Sequence, residues 1–413
     1  MTALALGPDS TGAVLVVRNG SVGHFGPHPP DAGAGRVDCS DGVIIPGAVN
    51  AHTHIYSALA PLGMPAPQRE PRNFVEILEQ VWWRLDRSID ADSLRASARL
   101  YAAEALLSGT TVLVDHHESP NLIEGALDVV ADACEEIGIR AVVCYGATER
   151  NHGLPEAQSG LAECRRFIVT NRRTLVRGAV GLHASFTVSD ETIREAGELC
   201  RASGAPLHVH VAEDAADVED ARRRGYEGPL QRLHRLRALE PRSILAHGVH
   251  LSEDEVRFAE QLRLWLVQNP RSNRANRVGY PSSLRASSHV ALGTDGYPAD
   301  MHAEAEALRE DGARNGERSA VMADRISCGH RLAGEILGID LAPLAAGGAA
   351  DAVVIAAGRV RHVIVAGHLV VCDGQLLTAD IAKIREEAAR EAAQLWERMR
   401  STAVRRGSGM RLL

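Results

Sequence analysis

Between about residues 43 and 293 the chain alternates short apolar runs with longer stretches of helical period. The runs fall at 43–51, 110–115, 140–145, 177–182, 206–211, 243–246, 263–267 and 290–293, all of strand length. Helices are predicted over 73–87, 92–108, 121–137, 190–203 and 252–262. Ser189 and Ser252 have the character of N-caps, and Glu255 follows Ser252 by three residues, as a capping box requires. Eight strand–helix units imply parallel strands, and the count predicts an α/β fold closed into a TIM-like (β/α)8 barrel. An open doubly wound sheet is the rival, but no GxGxxG opens a helix after the first strand.

The flanks follow a different rhythm. Residues 13–17 and the segment up to Ile45 read as short strands with Gly and Asp turns, and 347–355, 362–365 and 369–371 read the same way. Residues 1–46 together with 346–378 are therefore expected to form a small discontinuous β-sandwich domain around a barrel at 47–345, leaving a charged helix and tail at 379–413. That helix reads most simply as a surface element.

Polar residues of chemical type stand just after each barrel run: His52/His54, His116/His117, Thr148/Glu149/Arg150, His183, His210/Glu213, His247/His250, Asn269/Asn273 and Asp295. In a barrel all of them come to the C-terminal rim, where active sites are built. His52 and His54 are two apart on a strand and so point the same way. Both imidazoles can reach one ion at about 2.0–2.1 Å, and His210, His247 and Asp295 supply further donors of the right kind.

Composition narrows the chemistry. The 413 residues are 45% hydrophobic but only 4% aromatic, with a net charge of -8 and no basic block, so nucleic acid is not an expected partner. No apolar run approaches the roughly 20 residues of a membrane span, and the N-terminus lacks a charged-then-apolar signal, so a cytoplasmic protein is expected. The seven cysteines are widely spaced without a CxxC, which suits buried thiols and excludes the PCxxC zinc deaminases. Lys383 is the single lysine. A P-loop lysine, a Schiff-base lysine in the body of the chain and a carboxylated lysine bridging two metals are thereby excluded, and one ion becomes the default.

The HxH pair, His210 in His-Val-Ala-Glu, His247 in Ala-His-Gly-Val-His and Asp295 in Leu-Gly-Thr-Asp-Gly together resemble the amidohydrolase superfamily, in its cytosine deaminase and chlorohydrolase branch. Further stretches look similar to the SsnA-type aminohydrolases: Trp82-Trp83-Arg84-Leu85-Asp86-Arg87, Asp115-His116-His117, Thr148-Glu149-Arg150-Asn151, His183-Ala184-Ser185-Phe186-Thr187-Val188, Ala212-Glu213-Asp214 and Asn269-Pro270-Arg271-Ser272-Asn273. The resemblance spans nearly the whole chain. It implies a barrel with a flanking β-sandwich, one divalent metal (zinc first, iron as the alternative) and, commonly in this branch, a homodimer. One departure is the short link at 355–359, where relatives carry a longer insert.

On that resemblance His52, His54 and His210 are the metal-binding histidines and Asp295 the fourth ligand, with Glu213, His247 and Asp295 as the catalytic groups. Metal-bound hydroxide attacks an sp² carbon, Glu213 carries a proton to a ring nitrogen, and ammonia leaves a purine-, pterin-, pyrimidine- or triazine-like heterocycle. The residues alone leave other hydrolyses open: cleavage of a cyclic or linear amide, or dechlorination. His183, His117, Glu149, Trp83 and Asn269 are candidate substrate contacts. Each has a plainer alternative: a hydrogen-bonded wall for His183, a salt-bridged rim for Glu149, core packing for Trp83 and a loop brace for Asn269. His116 and His117 are adjacent, so at most one faces the site. His208 shares the face of His210 one layer deeper and is expected to support it rather than to bind metal.

Overall fold

The computed structural model describes residues 4–27, 29 and 35–404. Eight parallel strands form the barrel wall in the order of the chain: Ala48–Thr53, Thr110–His117, Arg140–Ala147, Val180–Ala184, Leu207–Val211, Ile244–His247, Trp265–Gln268 and Val290–Leu292. The wall closes where the segment after the last strand meets the first: the amides of Thr294 and Asp295 both donate to the His52 carbonyl, at 2.9 and 3.0 Å, and the His54 amide donates to Asp295 O at 3.2 Å. Closure therefore docks Asp295 directly against the histidine pair. Every residue of Thr110–His117 and Arg140–Ala147 is buried, as expected for parallel strands covered on both faces.

The apolar run over 43–51 is two strands, not one. Gly42–Pro46 pairs antiparallel with Ala352–Ala356 in a five-stranded sheet, and the chain then turns at Gly47 into the barrel. A Cβ at Gly47 would lie 2.3 Å from Thr111 Oγ1, so only glycine passes this corner. The run over 177–182 is likewise interrupted, as Val176–Gly178 and Val180–Ala184. The remaining N-terminal strands, from Leu4–Asp9 to Gly35–Cys39, make a separate four-stranded sheet. The short link at 355–359 is a tight hairpin turn with Ala357 and Gly358 both at positive φ, 48° and 71°, the geometry of a two-residue turn between twisted strands. Arg140, at the start of the third barrel strand, grips Asp351 through two N–H···O bonds of 2.7 and 3.0 Å and so anchors the five-stranded sheet to the barrel.

Ser189 and Ser252 cap Asp190–Ser203 and Glu253–Gln261 as the sequence suggests. Two helical segments differ from expectation. The helix starting after Asn73 contains a π-turn over Leu78–Trp82 before continuing as Trp83–Asp86. The charged C-terminal helix Ile381–Ser401 buries Ile384, Leu395, Trp396 and Met399 and packs on Ala91–Leu107, while Arg84 donates to the Met399 carbonyl at 2.7 Å. Its charges cover one face; the other face braces the tryptophan-bearing helix.

Candidate metal centre and active site

Four ligand atoms meet at the C-terminal mouth of the barrel. Asp295 Oδ1 lies 2.9 Å from His54 Nε2 and 3.3 Å from His52 Nε2, and His54 Nε2 lies 3.2 Å from His210 Nε2. The other nitrogen of each ring shows which atoms carry lone pairs. His54 Nδ1 donates to the His116 carbonyl at 2.6 Å, and His210 Nδ1 donates to the His183 carbonyl at 2.5 Å. His52 Nδ1 donates to His208 Nε2 at 2.9 Å, and His208 Nδ1 then points at Cys144 Sγ, 3.8 Å away. All three Nε2 atoms are thus left as acceptors facing a carboxylate, and His52 Nε2 is buried with no hydrogen-bond partner. Acceptors crowded this closely repel one another unless a cation lies between them. Burial opposes a charge on either ring, yet the Asp295 carboxylate raises His54 to about 9, while burial holds His52 down at about 3. Three imidazoles and one carboxylate are a donor set that suits a divalent transition metal, so the residues fit the ion.

Beside this quartet, Glu213, His247 and Asp295 form a second cluster. Glu213 Oε2 is 3.5 Å from His247 Nε2. Burial, only partly offset by His247, pushes the Glu213 carboxyl up to about 7. Burial acts the same way on Asp295, yet His52 and His54 hold it well below the usual carboxylate range. His247 Nδ1 donates to Asn273 Oδ1 at 2.9 Å, which fixes the ring. His247 and Asp295 both adopt left-handed backbone conformations, φ 75° and 54°, costing about 1–3 kcal/mol each in residues that are not glycine. Strain of this kind persists where surrounding bonds hold a side chain in a required direction.

A cavity of about 610 Å³, its open mouth included, rises above the metal quartet. Tyr56, Phe74, Trp82 and Phe186 supply its flat apolar walls, and Glu118, His183 and Glu213 its polar ones. The π-turn sets Trp82 at the cavity beside Gly296, where a Cβ would lie 3.1 Å from the indole. Trp83 also reaches the wall but is 2% exposed, with the Arg150 guanidinium 4.9 Å over its ring. Arg150 is in turn paired with buried Asp86 at 2.8 Å, so the basic group stands behind the wall.

The sequence candidates fall in different places. His52, His54, His210, Asp295, Glu213, His247 and His183 converge as described. Of the adjacent histidines it is His116 that turns inward, its ring centroid 4.6 Å from that of His210, whereas His117 points the opposite way and bonds Ser119 Oγ at 2.7 Å. Strand alternation decides this, and the expectation for His117 is corrected accordingly. Glu149 is not on the cavity wall; its Oε1 accepts from the Ser189 amide and the Thr192 hydroxyl, at 2.7 and 2.6 Å, securing the start of the helix Asp190–Ser203. Asn269 lies fully buried behind His247, 3.3 Å from its Nδ1.

Sequence reasoning passed over Glu118, Ser272 and Asn276. The Ser272 hydroxyl donates to Asp295 Oδ2, and Asn276 Nδ2 donates to Glu213 Oε1 at 3.2 Å. Ser272 and Asn276 are four apart on Pro270–Asn276, one helical turn, and Glu118 is two beyond His116. Both spacings were available signals, but only a known site makes them meaningful.

The fold and this centre define a metal-dependent hydrolase of the barrel type, and the chain belongs to the amidohydrolase family, whose model matches residues 43–370. It is an enzyme of carbon–nitrogen bond hydrolysis. Among similar proteins, a 5'-deoxyadenosine deaminase of Methanopyrus kandleri is 29% identical over 390 residues, covering 86% of each chain. An 8-oxoguanine deaminase of Pseudomonas aeruginosa is 30% identical over 312 residues, 71% of this chain and 68% of that one. The fold is shared with an adenosine deaminase from Xanthomonas campestris solved with bound zinc, at a TM-score of 0.79 and 23% identity over 97% of this chain and 98% of that one. Among the described residues no helix is long and apolar enough to cross a membrane.

Proposed function

We propose that the protein is an aminohydrolase that releases ammonia from a planar nitrogen heterocycle, with zinc held by His52, His54, His210 and Asp295. The observation that carries this reading is the meeting, at the floor of an aromatic-walled cavity, of a four-donor metal centre with the carboxyl of Glu213. The deaminases among the similar proteins support it. Iron(II) accepts the same donors, so zinc is the narrower part of the proposal.

A divalent ion held by His52, His54, His210 and Asp295 would supply Lewis acidity and make water a stronger acid, with a pKa of about 7. The chain's residues do the rest. Trp82, Tyr56 and Phe186 hold the ring flat and exclude water from its faces. His183 presents Nε2 to the substrate edge, its Nδ1 being committed to Thr187 Oγ1 at 3.0 Å. Asp295, anchored through Oδ2 by Ser272, keeps Oδ1 turned to the quartet, and His247 orients the reacting edge through Nε2. Glu213, steadied by Asn276, carries a proton to the ring nitrogen next to the reacting carbon and later to the departing amine.

The test is ammonia release by metal-loaded protein across purine, pterin, pyrimidine and triazine amines, with product mass read in parallel. Gain of water without ammonia from amide substrates, and no turnover of any amine, would replace deamination by amide hydrolysis.

A further inference from the structure

The end of the second barrel strand places two acceptors, on His116 and Glu118, that the reaction itself does not use. His116 donates from Nε2 to the Leu182 carbonyl at 3.0 Å, which leaves its Nδ1 as an acceptor. That Nδ1 lies 3.1 Å from Glu118 Oε1, and neither atom has a hydrogen-bond partner. His183 adds a third acceptor, since its Nδ1 is taken by Thr187 and its Nε2 is not. A carboxylate oxygen of Glu118 and ring nitrogens of His183 and His210 fall within 4.8 Å of one another. Glu118 is only 4% exposed, stands on the cavity wall, and is held from behind by the Tyr56 hydroxyl, which donates to Oε2 at 3.0 Å.

A carboxylate oxygen and a ring nitrogen buried side by side without a donor cost free energy until one arrives. The cavity wall offers no cation: it carries Glu118, Glu213, Asp217 and Asp295, and no lysine or arginine among the described residues. Asp217 is already satisfied by the Ser185 hydroxyl and the Ala212 amide, at 2.7 and 2.8 Å. A divalent ion at the quartet offsets Asp295, whereas Glu118 Oε1 faces only the His116 ring at 3.1 Å, which pairs with it when that ring is protonated. Glu118 follows the second strand and Glu213 the fifth, so the two carboxyl groups approach a bound ring from different sides of the barrel.

We infer that Glu118 is a specificity residue: it selects substrates whose edge presents the paired N–H groups of an amidine or guanidine unit, neutral or cationic, and it rejects rings bearing phosphate or carboxylate. This rests on the deaminase reading, of which it names the substrate class. Glu118 and His183 accept the paired donors while Glu213 serves the reacting side.

Benzamidinium, a flat cation with two amino groups on one edge, is the probe, and benzamide is its neutral twin. Both are titrated calorimetrically into the full-length, zinc-loaded protein. Benzamidinium is expected to bind at least about 10-fold more tightly than benzamide, and Glu118→Gln to weaken benzamidinium by about 10- to 100-fold while leaving benzamide within about twofold. Equal affinity of the two probes for the unmodified protein overturns the inference, as does undiminished benzamidinium binding by Glu118→Gln. A second equivalent of zinc, bound by the unmodified protein and lost in the variant, overturns it too, because the acceptors then hold a metal. Should Glu118→Gln not fold, the comparison of the two probes on the unmodified protein decides alone. Only binding is read, so a failure here leaves the ammonia assay intact, and a failed ammonia assay leaves this result standing.

Discussion

Replacing His208 by Phe removes one hydrogen bond from the metal centre without touching a ligand. For His52 to present the Nε2 lone pair, its Nδ1 must carry the proton, and that proton has one acceptor, His208 Nε2 at 2.9 Å. His208 is fully buried, and it passes the chain of bonds on to Cys144 Sγ at 3.8 Å. Phe keeps the ring and much of its volume, so the cavity contribution is small. What remains is a buried N–H without a partner, worth about 1–3 kcal/mol, in a ring now free to shift its proton to Nε2 and close the metal site. Loss of such an outer bond to a metal-binding histidine weakens the ion by about 10- to 100-fold, or about 1.4–2.7 kcal/mol. The assay is zinc competition against a chromophoric chelator, with near-UV circular dichroism to confirm the fold. His208→Gln, whose amide oxygen can accept the same proton, should recover part of the loss. Zinc bound by folded His208→Phe as tightly as by the unmodified protein would refute the tautomer argument and the assignment of His52 as an Nε2 ligand.

Three other outcomes are expected. Glu213→Gln should retain one equivalent of metal, measured by elemental analysis, and lose turnover by at least about 100-fold; full activity would remove Glu213 from proton transfer. Asp86→Ala leaves the Arg150 guanidinium buried beside Trp83 without its 2.8 Å carboxylate partner, and denaturant titration should show a loss of about 3–5 kcal/mol. Chelation should lower the melting temperature: an ion present at a thousandfold its dissociation constant contributes about 4.1 kcal/mol. At about 2.1 cal/mol/K per residue, the 413-residue chain unfolds with about 0.9 kcal/mol/K, which gives a drop of about 5 °C. No shift on removal of the bound metal would show that the quartet contributes nothing to stability.

The alternation of apolar runs and helical stretches was enough to read the barrel, because parallel strands covered on both faces must be apolar throughout and must be joined by helices. The metal residues were legible for a related reason. His52 and His54 are fixed to one face by strand period, His210 and His247 stand at the C-terminal ends of their strands and Asp295 just beyond one, so topology alone brings them to one rim. Local chemistry also held at the helix starts, where Ser189 and Ser252 cap as their side chains allow.

What the linear pattern left open depended on contacts between segments far apart in sequence. Pro46-Gly47 marks a turn inside 43–51, but that only glycine fits the corner follows from Thr111, which a Cβ would meet. Strand period said that His116 and His117 face opposite ways, but which one turns inward was settled by where the second strand lies between the first and third. Glu149 looked like a substrate ligand until the start of Asp190–Ser203, one unit further on, took its carboxylate. The C-terminal helix read as surface because its charges are visible in the sequence and its burial against Ala91–Leu107 is not. Glu118 is the sharpest case. In the chain it is one more acid after two histidines; only the closed barrel brings it beside His183 and His210 on the cavity wall, leaves one oxygen without a donor and thereby gives it a chemical role. Sequence determines which residues share a face, because that depends on backbone period. Tertiary structure decides which of them meet, because that depends on how the strands close and what is left unpaired when they do.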